Sequence, residues 1–247
     1  MSLTSKYDGW AFRGLPDAEW QLRSSLSRYL HSFVPDRSMW RQREERARRI
    51  FRRKAHIYLP DASVLVDDLR CLALMQHHGA PTRLLDFTKS PFVAAFFALY
   101  RTIKNSAVFA LDTPKLWGAA PTNAPTLQRD MIDPRVNGNF EHYFAANNKE
   151  VIWVGEPEEM DRRLVAQSGT FVVPGVLDKT LEEIIQQYGD GGSLIKKIVL
   201  PPSIREEAML SLYRMNITHA TLFPDLDGLS RSIGYELEIT WPGYQLT

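Results

Sequence analysis

The sequence predicts an α/β protein of the α+β type: one domain over residues 1–247, with a mainly antiparallel sheet split into two parts and helices packed outside it. Three observations carry that expectation. Helix-period apolar patterns crowd into a helix-rich first half, about residues 1–105, and short apolar runs of strand length fill a strand-rich second half, about residues 106–247. A strongly apolar helix, beginning at Pro91, stands between strand-like segments and must share a core with them. No repeat, low-complexity tract or Gly/Ser linker divides the halves.

The elements follow in order. Gly9–Pro16, GWAFRGLP, reads as a short strand running into a Gly-Leu-Pro turn, with Arg13 between Phe12 and Gly14. Arg37–Leu59 reads as a helix with Trp40, Ala47, Ile50, Phe51 and Ile57 near one stripe. A second helix, VDDLRCLALMQHHG, has Asp67 and Asp68 at its positive end and Gly79 as its stop. Pro81 breaks it, so APTRLLDFTK is loop or short extended chain. Ser90-Pro91 then pairs an N-cap with a proline suited to the first helical turn, opening PFVAAFFALYRTIK. Ser106–Leu111 is an inner strand, and the proline-interrupted stretch from Asp112 to Asn148 is long loop with one or two short helices.

Farther on, VIWVG, Ser168–Gly175 and SLIKKIVLPP read as strands. DKTLEEIIQQYG reads as a helix capped by Asp178 and closed by Gly189, and Gly189–Ser193 (GDGGS) as a turn. SIREEAMLSLYRMN opens with Ser203 and Glu206 at capping-box spacing. THATLF reads as a strand, and PDLDGLSRSIGYELE starts a last helix, with DLDG as cap and turn.

Composition narrows the function classes. The chain carries 30 basic and 29 acidic residues, a formal net charge of +1, so overall charge selects no polyanionic partner. One cysteine, Cys71, excludes an intramolecular disulfide and a cysteine-rich zinc site, and suits a reducing cytosol. MSLTSKYDGW has no apolar secretory segment, and no apolar run reaches the roughly 20 residues that span a bilayer, so the expected setting is cytoplasmic with no membrane partner. Adjacent His77 and His78 point about 100° apart on a helix and do not share one ion, so no metal site is expected. Cys71 falls on an apolar stripe, no G-x-S-x-G elbow occurs, and neither G-x-G-x-x-G nor a Walker A loop is present.

Two stretches carry chemistry. From Arg41 to Lys54 seven arginines and one lysine face only Glu44 and Glu45, a pattern that serves a nucleic-acid partner or a solvated helix face laced with ion pairs. The block from Gln76 to Ser90 packs polar groups directly ahead of an apolar helix. A cleft lined by Arg13, His77, Arg83 and Thr88 presents donors to phosphates, with Asp86 orienting an arginine. The structural alternative pairs Arg13 or Arg83 with Asp86 and leaves Thr88 and Ser90 to cap the helix.

Phe12-Arg13-Gly14 resembles the motif for which the FRG domain family is named. Gln76, His77, Gly79, Pro81, Thr82, Arg83, Leu84, Leu85, Asp86 and Thr88 resemble its second block, and QSGTFVV and LFPDLDGL are similar to later family segments. That resemblance implies an association with bacterial defence and little about chemistry. The order of elements also resembles mono-ADP-ribosyltransferases. Those enzymes have an aromatic-Arg-Gly strand whose arginine holds the NAD pyrophosphate, a hydroxyl-bearing strand leading into a helix, and a glutamate on a later strand. Here Arg13 matches the first element, and Thr88 and Ser90 before VAAFFA match the second. At the third this chain has Gln167. The resemblance implies Arg13, His77, Asp86 and Gln167 as catalytic candidates, and Arg13, Arg83, Thr88 and Ser90 as ligand-binding ones. NAD is implied as substrate, with no resident cofactor. Since Gln167 carries no charge for an oxocarbenium-like state, Asp86, Glu141 or Glu150 must supply it, or the domain binds a nucleotide without turnover.

Overall fold

The computed structural model describes residues 7–189 and 191–238. Residues 1–6, 190 and 239–247 lie outside the described residues, among them the start of MSLTSKYDGW and Asp190 of the expected GDGGS turn, whose Gly191–Ser193 fall instead in a short helix, Gly191–Leu194. The described chain begins with β1 (Ala11–Leu15) and α1 (Ser25–Phe33), followed by α2 (Trp40–Ala55) and α3 (Asp68–His77). β2 (Leu85–Thr88) runs into α4 (Pro91–Leu99), and β3 (Ser106–Leu111) follows. Next come α5 (Thr113–Trp117), a π-helix at Phe140–Ala145, β4 (Ile152–Gly155), α6 (Arg162–Ala166) and β5 (Gly169–Pro174). The last elements are α7 (Leu181–Ile185), α8 (Gly191–Leu194), β6 (Ile195–Leu200), α9 (Arg205–Arg214), α10 (His219–Leu222) and α11 (Leu226–Glu236).

The six strands form one open sheet in the order β4-β5-β2-β1-β3-β6, antiparallel throughout. The expected split takes a specific form. β1 pairs with β3 along its whole length, from Ala11↔Leu111 to Leu15↔Ala107, but meets β2 only at Phe12↔Thr88. Two halves, β4-β5-β2 and β1-β3-β6, are therefore joined at a narrow seam.

Alternation along the strands builds a core on each face. Ala11, Leu15, Leu85, Phe87, Phe109 and Val172 share one cluster with Leu181, Ile184 and Ile185 of α7. The opposite face is covered in two pieces. α2, α3 and the π-helix bury Trp153, Phe171 and Val173 of one half, while α4 lays Ala94 and Ala98 on Phe12, Val108 and Ala110 of the other.

The strand and long-helix expectations hold, with local corrections. THATLF is not a strand. Thr218 and Thr221 cap each other reciprocally, and the intervening residues turn into α10. The cap before α7 is Thr180, boxed with Glu183, and not Asp178. No Ser203–Glu206 box forms, because α9 starts later and Ile204 holds its N-cap position. α1 and α6 are helices the sequence reading did not anticipate. DLDG does cap α11, with Gly228 N–H donating to Asp225 Oδ1 at 2.7 Å.

The glycine of Phe-Arg-Gly has a steric role. A Cβ on Gly14 would run into the backbone of Ala94 and Ala98, so α4 rests on β1 at a distance only glycine permits. Gly14→Ala must push the helix away. It is expected to cost at least about 1–3 kcal/mol, the usual range for overpacking, measured by urea unfolding against Ala substitution at an exposed site.

Candidate functional site

The seam opens into a cleft of about 310 Å³, walled by Arg13, Arg28, Asp86, Thr88, Arg163 and Gln167 with the rings of Trp20 and Phe97. An adjoining hollow of about 170 Å³ shares Arg13, Arg28 and Asp86 and reaches Gln76. A small recess on the other side also touches Asp86 and contains His77, Arg163 and Gln167. Asp86 is common to all three.

Each cation is placed by a different element. Arg13 projects from β1, and its Nη1 donates to the backbone carbonyl of Asp86 at 2.5 Å across the seam. Its Nε is buried without a hydrogen-bond partner among the described residues. Burial pushes the Arg13 pKa below the ordinary arginine value, Asp86 pulls it back up, and Arg28 lowers it again. Burial likewise lowers Arg28. Both remain cations, since guanidinium does not deprotonate in proteins. Arg28 sits on α1, which is pinned by Leu26 N–H to Thr82 O at 3.0 Å and by Ser27 Oγ–H to Leu177 O at 2.6 Å. Arg163 sits on α6, N-capped by Asp161. It lies 4.5 Å from the Phe223 ring centroid and donates to His77 O at 3.4 Å.

The expected site residues divide. Arg13, Asp86, Thr88 and Gln167 line the cleft, and His77 lies in the recess, its Nδ1 at 3.2 Å from Asp161. Thr88 is spent on scaffolding: its hydroxyl donates to Gln167 O at 2.7 Å and accepts from Ser90 N–H at 3.0 Å. Gln167 ends α6 just before Ser168 (φ 46°), a left-handed residue that turns the chain into β5. The Gln167 amide donates to Leu222 O at 3.0 Å.

Two expectations are corrected. Arg83 does not line the cleft and does not pair with Asp86. It is fully buried, with Nε 2.7 Å from Glu44 Oε1, Nη2 on Glu44 Oε2, and Nη1 donating to Pro174 O at 2.9 Å. Fully enclosed, its guanidinium presents no donor to the cleft. Ser90 lies outside the cleft lining, and its hydroxyl accepts from Val93 N–H as the N-cap of α4. The other acids that the sequence offered are engaged elsewhere. Glu141 meets Arg48 at 2.7 Å and Glu150 meets Lys179 at 2.5 Å. Asp86 alone of the three stands in the cleft, and among the described residues its carboxylate accepts no hydrogen bond.

The sequence reading missed Arg28, Arg163, Gln76 and Trp20. Only the last two carried a local signal, Gln76 as part of the polar block and Trp20 as an isolated aromatic after a turn. Among the described residues no group of three or more His, Cys, Asp and Glu gathers to hold a metal, and no helix is long and apolar enough to cross a membrane.

This arrangement is a mixed α/β fold with a cation-rich cleft at a sheet seam. Residues 8–107 match the family model of the FRG domain. The match contains Arg13, Arg28, His77 and Asp86, while Arg163 and Gln167 lie beyond it. No curated protein and no solved structure matches the chain.

The buried pair makes a separate expectation. Glu44→Ala strands a guanidinium in the core and is expected to cost about 3–5 kcal/mol. The double replacement E44L/R83M should recover most of that loss in chemical denaturation.

Proposed function

We propose that the cleft binds an anionic nucleotide of the ADP-ribose type and that, with NAD as substrate, it cleaves the nicotinamide–ribose bond. The observation that supports this best is charge without a counter-ion. Arg13, Arg28 and Arg163 line one cavity, none has a carboxylate ion pair among the described residues, and Asp86 is the sole acidic group lining it. Three guanidiniums around one cavity favour a partner with more than one negative charge, and a pyrophosphate offers acceptor oxygens to them. The half-exposed indole of Trp20 gives a base a flat surface to stack on. The resemblance to mono-ADP-ribosyltransferases gains support from topology. The Arg-Gly strand, the hydroxyl–helix strand and the strand after Gln167 are β1, β2 and β5, neighbours in the order β5-β2-β1.

In this reading the C1′–N bond breaks and nicotinamide leaves with the bonding pair. The ribose passes through an oxocarbenium-like state, as in glycoside hydrolysis. Asp86 supplies the negative charge beside it. Water or an acceptor group adds at C1′ and releases its proton. Gln167 holds position without charge, its amide tied to Leu222 O.

A second reading rests on α2. Arg41, Arg43, Arg46, Arg49, Arg53 and Lys54 are exposed with no ion pair among the described residues, a surface able to track phosphates of a nucleic acid. Arg48 does not belong to that surface. It is buried between Asp68 and Glu141, at 2.9 and 2.7 Å, and Arg52 shares Asp68 at 2.5 Å.

Calorimetry with NAD and ADP-ribose tests the first reading. Arg13→Ala and Arg163→Ala should each weaken binding at least about tenfold, the scale of one charge-assisted contact. Asp86→Asn should retain binding and slow NAD cleavage by about 100- to 1000-fold, and Gln167→Glu should raise it. No binding at millimolar ligand by folded protein would sink the reading. For the second, R46E/R49E/R53E should abolish salt-sensitive RNA or DNA binding while NAD binding persists. Nucleic-acid affinity indifferent to salt, or untouched by those reversals, would dismiss it.

A further inference from the structure

A larger concavity, about 720 Å³, lies between α2 and α3, and the cleft residues take no part in it. One wall is a helical stripe of α2 and the turn after it: Ala47, Ile50, Phe51, Lys54, Ala55 and Tyr58, spaced three or four apart. The other wall comes from Leu74, Met75 and His78 at the end of α3, and from Ala80 and Pro81. Ile50 and Tyr58 are 42 % and 80 % exposed, so the rim of the stripe faces outward while Ala55 and Phe51 rest on the core.

We propose that this groove binds a single-chain anionic amphiphile, an unbranched alkyl chain ending in a carboxylate. The volume falls in the range of small-molecule sites, about 300–1,000 Å³, which are mostly apolar with a few polar groups fixing orientation. Here the polar groups are Lys54 and His78, and no acidic side chain lines the groove. Lys54 has no ion pair among the described residues, and Arg43, Arg46 and Arg53 stand exposed on the same helix without one. The apolar body therefore has a lining, and the anionic head has Lys54, with His78 beside it, in the groove wall. Concavity separates this occupant from the alternatives. A bilayer surface is met by side chains that project into it, and a nucleic acid brings phosphates but no apolar rod to fill a trough.

The test is calorimetry of the full chain with octanoate, decanoate and dodecanoate below their micellar concentrations, and with dodecyltrimethylammonium. Saturable one-to-one binding is expected, tightening up to about fourfold per added methylene as chain is buried. The cationic amphiphile should bind at least tenfold more weakly. Lys54→Glu should weaken dodecanoate at least tenfold and reduce that preference. Ala47→Phe should block the groove, and Ile50→Asp, at a half-exposed position, serves if the first variant does not fold. NAD binding should be the same in all three variants. No saturable heat with dodecanoate, equal binding of the two head groups, or full binding by both groove variants would overturn the proposal. Tighter association with phosphatidylglycerol vesicles than with monomeric dodecanoate would overturn it too, giving this face to a membrane surface.

Discussion

The buried contact between Arg83 and Glu44 holds the arrangement of this protein. A guanidinium out of water requires an anion and acceptors for its remaining protons, and this one has both: the Glu44 carboxylate on one edge and the Pro174 carbonyl on the other. Three separate pieces of chain are thereby fixed to one another: the charged helix α2, the approach to β2, and the end of β5. The Phe140 ring, 5.8 Å from the guanidinium carbon, adds the π-helix to the same point. α2 has too few apolar residues to be placed by hydrophobic burial alone. Its register depends on Glu44 facing inward and on Arg48 filling the next turn against Asp68 and Glu141. Once those inward positions are set, the rest of the helix has no choice: its arginines turn to solvent and its apolar stripe borders the groove.

The polar block before α4 does two jobs at once. Thr82 donates to the Gln76 side chain and accepts from Leu84 N–H, while its backbone exchanges hydrogen bonds with Ser25 and Leu26. These contacts fold the loop and dock α1 on it, which is how Arg28 arrives beside Arg13. Asp86, a few residues on, takes no part in that knot and stays in the open cleft. Scaffold and site are thus successive residues of one segment, and a change to the former displaces the latter.

Much of the fold was legible because its signals are local. Asp67, Ser90 and Asp225 cap the helices they precede, and Gly79 adopts the positive φ of 80° that a helix stop asks for. The apolar runs at Ser106–Leu111 and Gly169–Pro174 are fully buried strands. The partner of Arg83 was not legible. Proximity suggested Asp86, but three residues along an extended segment place two side chains on opposite faces. The true partner lies 39 positions away on a helix whose pattern looked solvated. Thr218-His-Ala-Thr221 alternates like a strand, yet its two threonines satisfy each other's backbone and close a helical turn. Arg28 and Arg163 carry no local mark of function. Each is an ordinary arginine on a short helix, and only the strand order brings them to the same opening.

The seam at Phe12↔Thr88 has a mechanical consequence. Beyond that single rung the halves share the apolar core on one face, and at the cleft they are linked by the side chain of Arg13 reaching the Asp86 carbonyl. Arg13 travels with β1 and β3, whereas Arg163 is carried by the helix that leads into β5. Their separation is therefore not a property of either half but of the angle between them, as the gap of a calliper belongs to neither jaw. A ligand held by both arginines acts as the missing rungs of the ladder. For the nucleotide proposed above, gripping the ligand and stiffening the sheet would be one event.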